Sequence, residues 1–490
     1  MKVITIGGGL GGLSAACLLA SEGHEVTVLE KNSSVGGKIG EVSAQGYRFD
    51  TGPSLLTMPF ILKDLFDRCG VALSDYLTLD TLDPICNYFY RNGTEFNCHK
   101  SSCVNVAQIQ KFAPDDVQAY KEFIAYSAKL YERTKDAFLY NPLYELSDVG
   151  SVKWRNLLHI DAFQTVAERV DKCFQSIELQ QFFKRFTTYN GSSPYQAPAT
   201  MNVIPHVEIT MGGYYIRGGM YRLIEALVQL AKDLGVQLIT NCFVKNIKTE
   251  NQQVTGVEDQ DHQCYPADVI VSNADAYETY LNITHSTDIS IQKKKQLEQV
   301  EPSCSGFVLL LGIDTKYPAL SHHNIFFTGD YEREFQQIFQ EKRMPEDPTI
   351  YIANTSYTDP QDAPEGGSNL FVLINAPYLT PGDNWQEQKH QYKSFVVNEL
   401  EKRGLDGLGS HIQYSNIITP EDFQTKYRSN RGSIYGTSSN NKLSAFLRPR
   451  NKSRSLEGLY LVGGSTHPGG GIPLVTLSAF HAVELINRYE

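Results

Sequence analysis

The sequence predicts an α/β fold: a Rossmann-like dinucleotide-binding domain carrying a mixed β-sheet domain and a helical cap. Two stretches and one pattern predict it. At the N-terminus, Lys2 to Ile6 read as a short buried strand. Gly7-Gly8-Gly9-Leu10-Gly11-Gly12 follows, then a small-residue helix over Leu13 to Ala20 and a second strand over His24 to Leu29 that ends at Glu30. Near the C-terminus, a strand over Gly458 to Gly464 runs into the loop Ser465 to Pro473 and a helix over Leu474 to Arg488. Between them, segments of strand character alternate with an aromatic-rich helical stretch. The first pattern is the βαβ unit that cradles a dinucleotide. Gly7 permits the tight turn, Gly9 admits a pyrophosphate close to the backbone, and Gly12 lets the helix lie on the strand. The helix N-terminus supplies partial positive charge. Glu30 stands eighteen residues after Gly12, where a carboxylate can accept from both ribose hydroxyls.

Composition sets bounds. With 490 residues, 41% hydrophobic and 20% charged, the chain suits two or three globular domains. A net charge of −11 argues against nucleic-acid binding through a basic surface. The nine cysteines are scattered without zinc spacing, and Cys98 and Cys103 beside His99 are the nearest pair. They read as free thiols in a reducing cytoplasm, with a metal site the remoter alternative and no metal expected. The N-terminus opens directly on the first strand, which leaves no space for a signal peptide. No apolar run approaches the roughly eighteen residues of a membrane span. The expected location is cytoplasmic, either free or peripheral on the inner face of the membrane.

After Glu30 and Lys31 comes a second glycine pair, Gly36-Gly37, with Lys38 beside it. Lys38 suits either a place near a pyrophosphate or the solvated surface. Tyr47 to Asp50 form a strand, Thr51-Gly52-Pro53-Ser54 a turn, and Pro59 to Cys69 a helix. Two glycine-rich contacts imply a long extended ligand, which FAD fits better than NAD. The helix after Gly471-Ile472-Pro473 could aim its positive end at the pyrimidine side of a flavin.

The middle of the chain is expected to be helical over 105–190. Tyr120, Phe123, Ile124, Leu130 and Tyr131 recur at helical spacing, and Phe174, Ile177, Phe182, Phe183 and Phe186 recur less regularly. They suit a helical core, or a cap that touches a bilayer or admits a lipid-like substrate. Lys153, Trp154, Arg155, Lys184 and Arg185 suit an interface or ordinary surface. A helix is expected over Tyr221 to Leu234, and paired strands over Gln237 to Thr240 and Cys242 to Lys248. Val254 to Glu258 and Asp268 to Ser272 extend the sheet, the latter returning to the cofactor domain. Gly306 to Ile313 suits a buried strand of a second sheet, flanked by Tyr351 to Asn354 and Leu370 to Ala376. Gln386 to Arg403 reads as a helix.

Three stretches carry a resemblance: Gly7 to Gly12 with Glu30, Phe49 to Ser54, and Tyr460 to Pro473. Together they resemble the bacterial-type phytoene desaturase family of FAD-dependent carotenoid oxidoreductases, from end to end of the chain. Tyr189 to Thr200, Ile204 to Glu208, Gly213-Tyr214-Tyr215 and Gly218-Gly219-Met220 are most similar to its hydroxycarotenoid 3,4-desaturase branch. The resemblance implies a discontinuous FAD-binding domain (1–75, 215–275 and 425–490), a substrate domain (76–104, 191–214 and 276–424) and a membrane-facing cap (105–190). It implies cofactor contacts at Gly7, Gly9, Gly12, Glu30, Lys31, Gly37, Lys38, Gly52, Pro53, Ser54, Gly463, Gly464, Gly471, Ile472 and Pro473, with the backbone of Val244 beside the adenine. One departure is visible: the wider amine-oxidase superfamily usually holds the ribitol with an acid where this chain has Gly464. Backbone N–H groups, Ser465 or Thr466 must substitute.

The implied reaction removes two hydrogens from a C–C bond beside a polyene, with hydride passing to flavin N5 and oxygen or quinone as the final acceptor. The implied product is a 3,4-desaturated, 1-hydroxylated acyclic end group. Phytoene or diapophytoene desaturation and end-group oxidation are the alternatives. The substrate is expected to pass from the bilayer into an apolar tunnel. His206 is the candidate base, with a hydrogen-bonded structural histidine as its other reading; Glu208 and His467 are the other ionisable groups of these stretches. A flavin amine oxidase and a non-enzymatic prenyl-lipid carrier are the competing readings from other classes.

Overall fold

The structure, a computed structural model, describes residues 1–142, 144–145, 160–285, 287–440 and 448–490. Lys153, Trp154 and Arg155 lie outside the described residues.

The N-terminal strand Lys2–Ile6 is buried beyond its first residue, as a strand covered on both faces must be. It is the centre of a five-stranded parallel sheet. Glu25–Leu29 and then Gln237–Ile239 lie on one side of it, Val269–Ser272 and then Leu459–Leu461 on the other. The helix Leu10–Ser21 is buried from Leu10 to Leu19. Its glycines and alanines allow the helices Arg222–Asp233 and Ile472–Tyr489 to pack closely on it. On its other side the helix lies on the first strand, and Gly12 shows why that contact needs a missing side chain: a Cβ there would lie 2.2 Å from the Gly7 carbonyl oxygen.

A second, seven-stranded sheet has the order Ile412–Ile418, Ser305–Ile313, Ser368–Ala376, Ile350–Ala353, His323–Phe326, Cys86–Phe89, Glu95–Cys98. Its neighbours are antiparallel except His323–Phe326 with Cys86–Phe89. Ser305–Ile313 is buried at every position. One of its expected neighbours, Ser368–Ala376, is in place. Ile350–Ala353 instead lies beyond that strand, and Ile412–Ile418 takes the other edge.

The segments Gln237–Ile239 and Val244–Glu250 were expected to pair, and they do not. Backbone bonds from Asn241 N–H to Asn32 O and from Cys242 N–H to Glu30 O hold the chain beside the first sheet after Ile239. Val244–Glu250 pairs instead with Gln253–Asp259. The turn between them, Asn251-Gln252, has φ of 50° and 65°, the left-handed pair that a two-residue hairpin uses.

The helical region carries Val117–Phe138, Val166–Cys173 and Ile177–Lys184. Tyr120, Phe123, Leu130, Tyr131, Phe174, Phe182, Phe183 and Phe186 are all buried, so they form core; Ile177 is 55% exposed. Lys184 and Arg185 are not interface cations. Each is 6% exposed, Lys184 bonded to Asp171 at 2.6 Å and Arg185 to Glu208. All nine cysteines are free thiols. Among the described residues no helix is long and apolar enough to cross a membrane, and no group of His, Cys, Asp and Glu is placed to hold a metal ion.

Candidate functional site

One cavity of about 650 Å³ joins the two sheets. At one end it runs over the carboxyl ends of the parallel strands, where open α/β sheets bind ligands. At the other it reaches Val308, Ile325, Phe371 and Leu373 on the face of the seven-stranded sheet.

The parallel-sheet end is built from the glycine turns. Gly7 and Gly9 lie on its wall. Gly36 is bridged to Gly9, and its N–H donates to Gly8 O at 2.7 Å, so the second glycine pair is locked against the first turn. Gly12 lies off the wall and acts as a packing residue. Glu30 is 5% exposed. Its carboxylate accepts from Gly8 N–H at 2.8 Å, and from the N–H and side-chain amide of Asn32, each at 2.8 Å. These bonds aim it along the wall, fill Oε1 and leave one lone pair on Oε2 for a hydroxyl. Val244 is buried and also faces the cavity.

The cations differ from expectation. Lys38 lies on the wall, not on the solvated surface: it donates to the carbonyls of Ser433, at 3.1 Å, and Ile434, which leaves one N–H of its ammonium for a ligand. Burial pushes its pKa down to about 8, opposed by Asp275. Lys31 lies on the wall and donates to Thr425 O at 3.4 Å and to Asn32; burial lowers its pKa as well. Gly37, Gly52, Pro53 and Ser54 line the same wall. Ser54 hydroxyl is hydrogen-bonded to Tyr351 hydroxyl, whose oxygen is 2.7 Å from His323 Nδ1.

From the C-terminus come Gly463, Gly464, Gly471, Ile472 and Pro473. Gly471, at φ 99°, caps the eighteen-residue terminal helix, so a second helix N-terminus opens on the cavity. Pro473 sits in the first turn, where its missing N–H costs nothing. Where Gly464 replaces an acid, Ser465 is on the wall and Thr466 is not. Ser465 Oγ accepts from Ala276 N–H at 2.9 Å, and Thr466 donates to Gly463 O at 3.0 Å. His467 lines the cavity with its Nε2 3.0 Å from Asn141 O, and burial lowers its pKa to about 4.

His206 is not on the wall. It opens the helical turn His206–Thr210, in which Val207 and Glu208 face the cavity. Two positions apart on a helical turn point to nearly opposite sides, so Glu208 facing inward sends His206 outward. Its ring lies 5.4 Å from that of Tyr131, and burial lowers its pKa. In this arrangement His206 packs behind the wall and Glu208 is the ionisable group of the turn that faces the cavity.

Three wall residues had no motif to announce them. The Asn273 amide fills the space between the two glycine turns: a Cβ at Gly9 would lie 2.6 Å from its Nδ2, and one at Gly463 2.8 Å from its Oδ1. Its position just past the strand Val269–Ser272 was the available signal, because that is the crevice end of the sheet. Asp275 faces Lys38. Arg448, 6% exposed, donates to Gly464 O at 3.2 Å and Thr437 O at 3.0 Å, and burial pushes its pKa down to about 10.

The residues fit FAD. Two helix N-termini, a buried aimed carboxylate and glycine surfaces that a Cβ would obstruct lie along one continuous cavity.

Residues 10–487 match the family described as flavin containing amine oxidoreductase. The chain is 37% identical to the 4,4'-diaponeurosporene oxygenase of Staphylococcus haemolyticus (strain JCSC1435) over 494 residues, covering all of this chain and 97% of that one. It is 36% identical to the protein of the same name from Staphylococcus aureus (strain MSSA476), covering all of this chain and 98% of that one. An oxidoreductase from Methanosarcina mazei has a similar solved structure, with a TM-score of 0.66 at 17% identity, over 99% of this chain and 100% of that one. The chain belongs to the flavin-containing amine oxidoreductase family, in the phytoene-desaturase-like group of its members, and is an FAD-dependent oxidoreductase.

Proposed function

We propose that the protein oxidises the end of an acyclic carotenoid, and that oxygenation of a diaponeurosporene-type end is the reaction. The observation that carries this is the single cavity in which dinucleotide-binding turns continue into an apolar sheet face. The full-length relatives named as diaponeurosporene oxygenases support the same reading. FAD, when bound, supplies the two-electron acceptor for hydride removal beside a polyene. The chain holds it through Glu30, the backbone at Gly7, Gly9 and Gly37, the wall residues Lys31, Lys38, Gly52, Pro53 and Ser54, Val244, and the loop from Gly463 to Pro473; Gly12 keeps the helix close. The apolar sheet face orients the polyene and excludes water. Conversion of a terminal methyl to an aldehyde consumes one dioxygen and releases one water, so it needs no outside reductant. In a desaturation, oxygen or quinone would take the electrons.

We also propose the domain division given above, and delivery of substrate from the inner face of the cell membrane. Burying each methylene is worth about 0.8 kcal/mol, so a carotenoid does not dwell in free water. Phe163, 82% exposed, follows the cavity-lining Ala162 in the chain, and we assign it as an apolar contact for the bilayer. The second reading, 3,4-desaturation of a 1-hydroxylated end, is favoured by a polar cluster on the apolar wall.

Flavin-loaded protein incubated with acyclic carotenoids in liposomes tests the proposal. A product that has gained oxygen supports end-group oxygenation, and one that has only lost two hydrogens supports desaturation. Oxidation of amines with every carotenoid unchanged would overturn both.

A further inference from the structure

The sheet-face end of the cavity sets polar side chains such as Asn375, Thr349 and His323 among apolar ones, and it carries one buried ion pair. Arg185 and Glu208 meet there on the wall, 6% and 1% exposed. Arg185 Nη2 donates to Glu208 and to Tyr88 hydroxyl, and Tyr189 hydroxyl donates to the other Glu208 oxygen. The charges of the pair cancel. Replacing a buried ion pair by apolar side chains of similar volume is often neutral or stabilising, so fold stability does not account for one in the wall of an apolar cavity.

The donor count indicates what it could do. A guanidinium carries five N–H groups in a fixed plane. The hydrogen bonds of Arg185 to Tyr88 and Glu208 both leave from Nη2; Nε is sealed in the protein without a partner, and Nη1 makes no hydrogen bond to a described residue, so Nη1 is the donor left for a ligand. His323, also on the wall and 2% exposed, has its Nδ1 on Tyr351 and its Nε2 without a partner. Burial, with His322 and Arg185 nearby, keeps this imidazole neutral. The cluster therefore has N–H capacity to spare and no net charge. Its complement is an uncharged oxygen, a carbonyl or a hydroxyl; a carboxylate would need a further cation.

Resting on the proposed carotenoid reaction, we infer that Arg185, held by Glu208 and Tyr189, recognises an oxygen atom on the end group of the polyene, with His323 as the second polar contact. Arg185 is thus a specificity-determining residue: it holds the oxygen that the first oxidation places on the end group, so an end group at the alcohol or aldehyde level binds more tightly than the bare hydrocarbon from which the reaction starts.

The test is equilibrium binding to flavin-loaded enzyme, comparing an acyclic polyene aldehyde with a hydrocarbon polyene of the same length. Polyene absorption is the readout, and flavin content checks the fold. The wild type should bind the aldehyde roughly ten- to hundredfold more tightly, the ratio expected of a hydrogen bond to a charged group. The double variant Arg185→Met with Glu208→Gln, which leaves no unpaired buried charge, should bring the ratio near one with hydrocarbon affinity unchanged. Should it lose its flavin, His323→Phe is the second variant and should reduce the ratio severalfold. A wild-type ratio near one, or a ratio that survives in a flavin-replete double variant, overturns the inference. Binding is measured without turnover, so a preference for the aldehyde in an enzyme that converts no carotenoid would sink the reaction and leave the recognition site standing.

Discussion

Glu30→Ala separates cofactor binding from folding. The carboxylate accepts three hydrogen bonds from the protein and, in the proposed complex, one more at Oε2 from the adenosine ribose. A hydrogen bond to a charged group contributes about 1.5–3 kcal/mol. Loss of the ribose contact, partly replaced by water at a site open to the cavity, should weaken FAD binding by about 2 kcal/mol, a factor of roughly thirty. The same substitution leaves the N–H groups of Gly8 and Asn32 without their acceptor. Asn32 and the space the carboxylate vacates both line the cavity, so water can enter to satisfy these N–H groups, and the apoprotein should lose only about 1 kcal/mol. Fluorescence titration of apoprotein with FAD gives the first number and denaturant unfolding of the apoprotein the second. Glu30→Gln keeps one acceptor oxygen and should fall between the two. Unchanged FAD affinity in Glu30→Ala would remove the carboxylate from the nucleotide site; equal losses in binding and stability would make it a structural residue.

Gly12→Ala places a Cβ 2.2 Å from Gly7 O and forces the first helix off its strand; it should cost roughly 1–3 kcal/mol, and an unchanged denaturation midpoint would contradict the packing role. His206→Ala should change neither flavin content nor turnover by more than about twofold, because that side chain points away from the cavity; loss of turnover with flavin retained would return it to the mechanism. Burial raises the Glu334 carboxyl from 4.5 to about 7, although Thr349 N–H and hydroxyl both donate to it. The folded state then binds this proton more tightly than the unfolded chain, so the contribution is complete below about pH 4.5 and is lost as pH rises through 7, amounting to about 3 kcal/mol. Glu334→Gln should flatten that part of the pH–stability curve, and parallel curves for variant and wild type would refute the assignment.

The parts of the fold legible in the sequence are those whose chemistry is local. The strand Lys2–Ile6, its glycine turn, the following helix and Glu30 are consecutive, and each residue type answers to its immediate neighbours. The terminal helix after Gly471 was legible for the same reason. The seven-stranded sheet was legible only in its longest apolar strands, because order in a sheet is set by partners far away in sequence. His323–Phe326 runs His-Asn-Ile-Phe and has no alternation to mark it as a strand; it is held by Ile350–Ala353 on one side and Cys86–Phe89 on the other.

The same distinction divides the site. Glycine turns announce themselves, since a backbone that must approach a phosphate excludes side chains along a contiguous stretch. Side chains that converge on a substrate have no such constraint. Arg185 reads as one more cation after Lys184 until Glu208 is brought against it from 23 residues away, and Ser54 meets Tyr351 across 297 residues. The error over His206 follows from this. It stands two residues before Glu208 in a stretch that does face the cavity, and helical rotation gives the inward position to the glutamate. Histidine suits proton transfer near neutral pH better than a carboxylate does, but direction rather than intrinsic pKa decides which group can touch a ligand. On an apolar wall the inward-facing carboxylate must itself be neutralised, and Arg185 meets that need. A polar group in this cavity therefore recruits its own partner, and the pair left facing the proposed polyene site is suited to holding an oxygen and poorly suited to carrying away a proton.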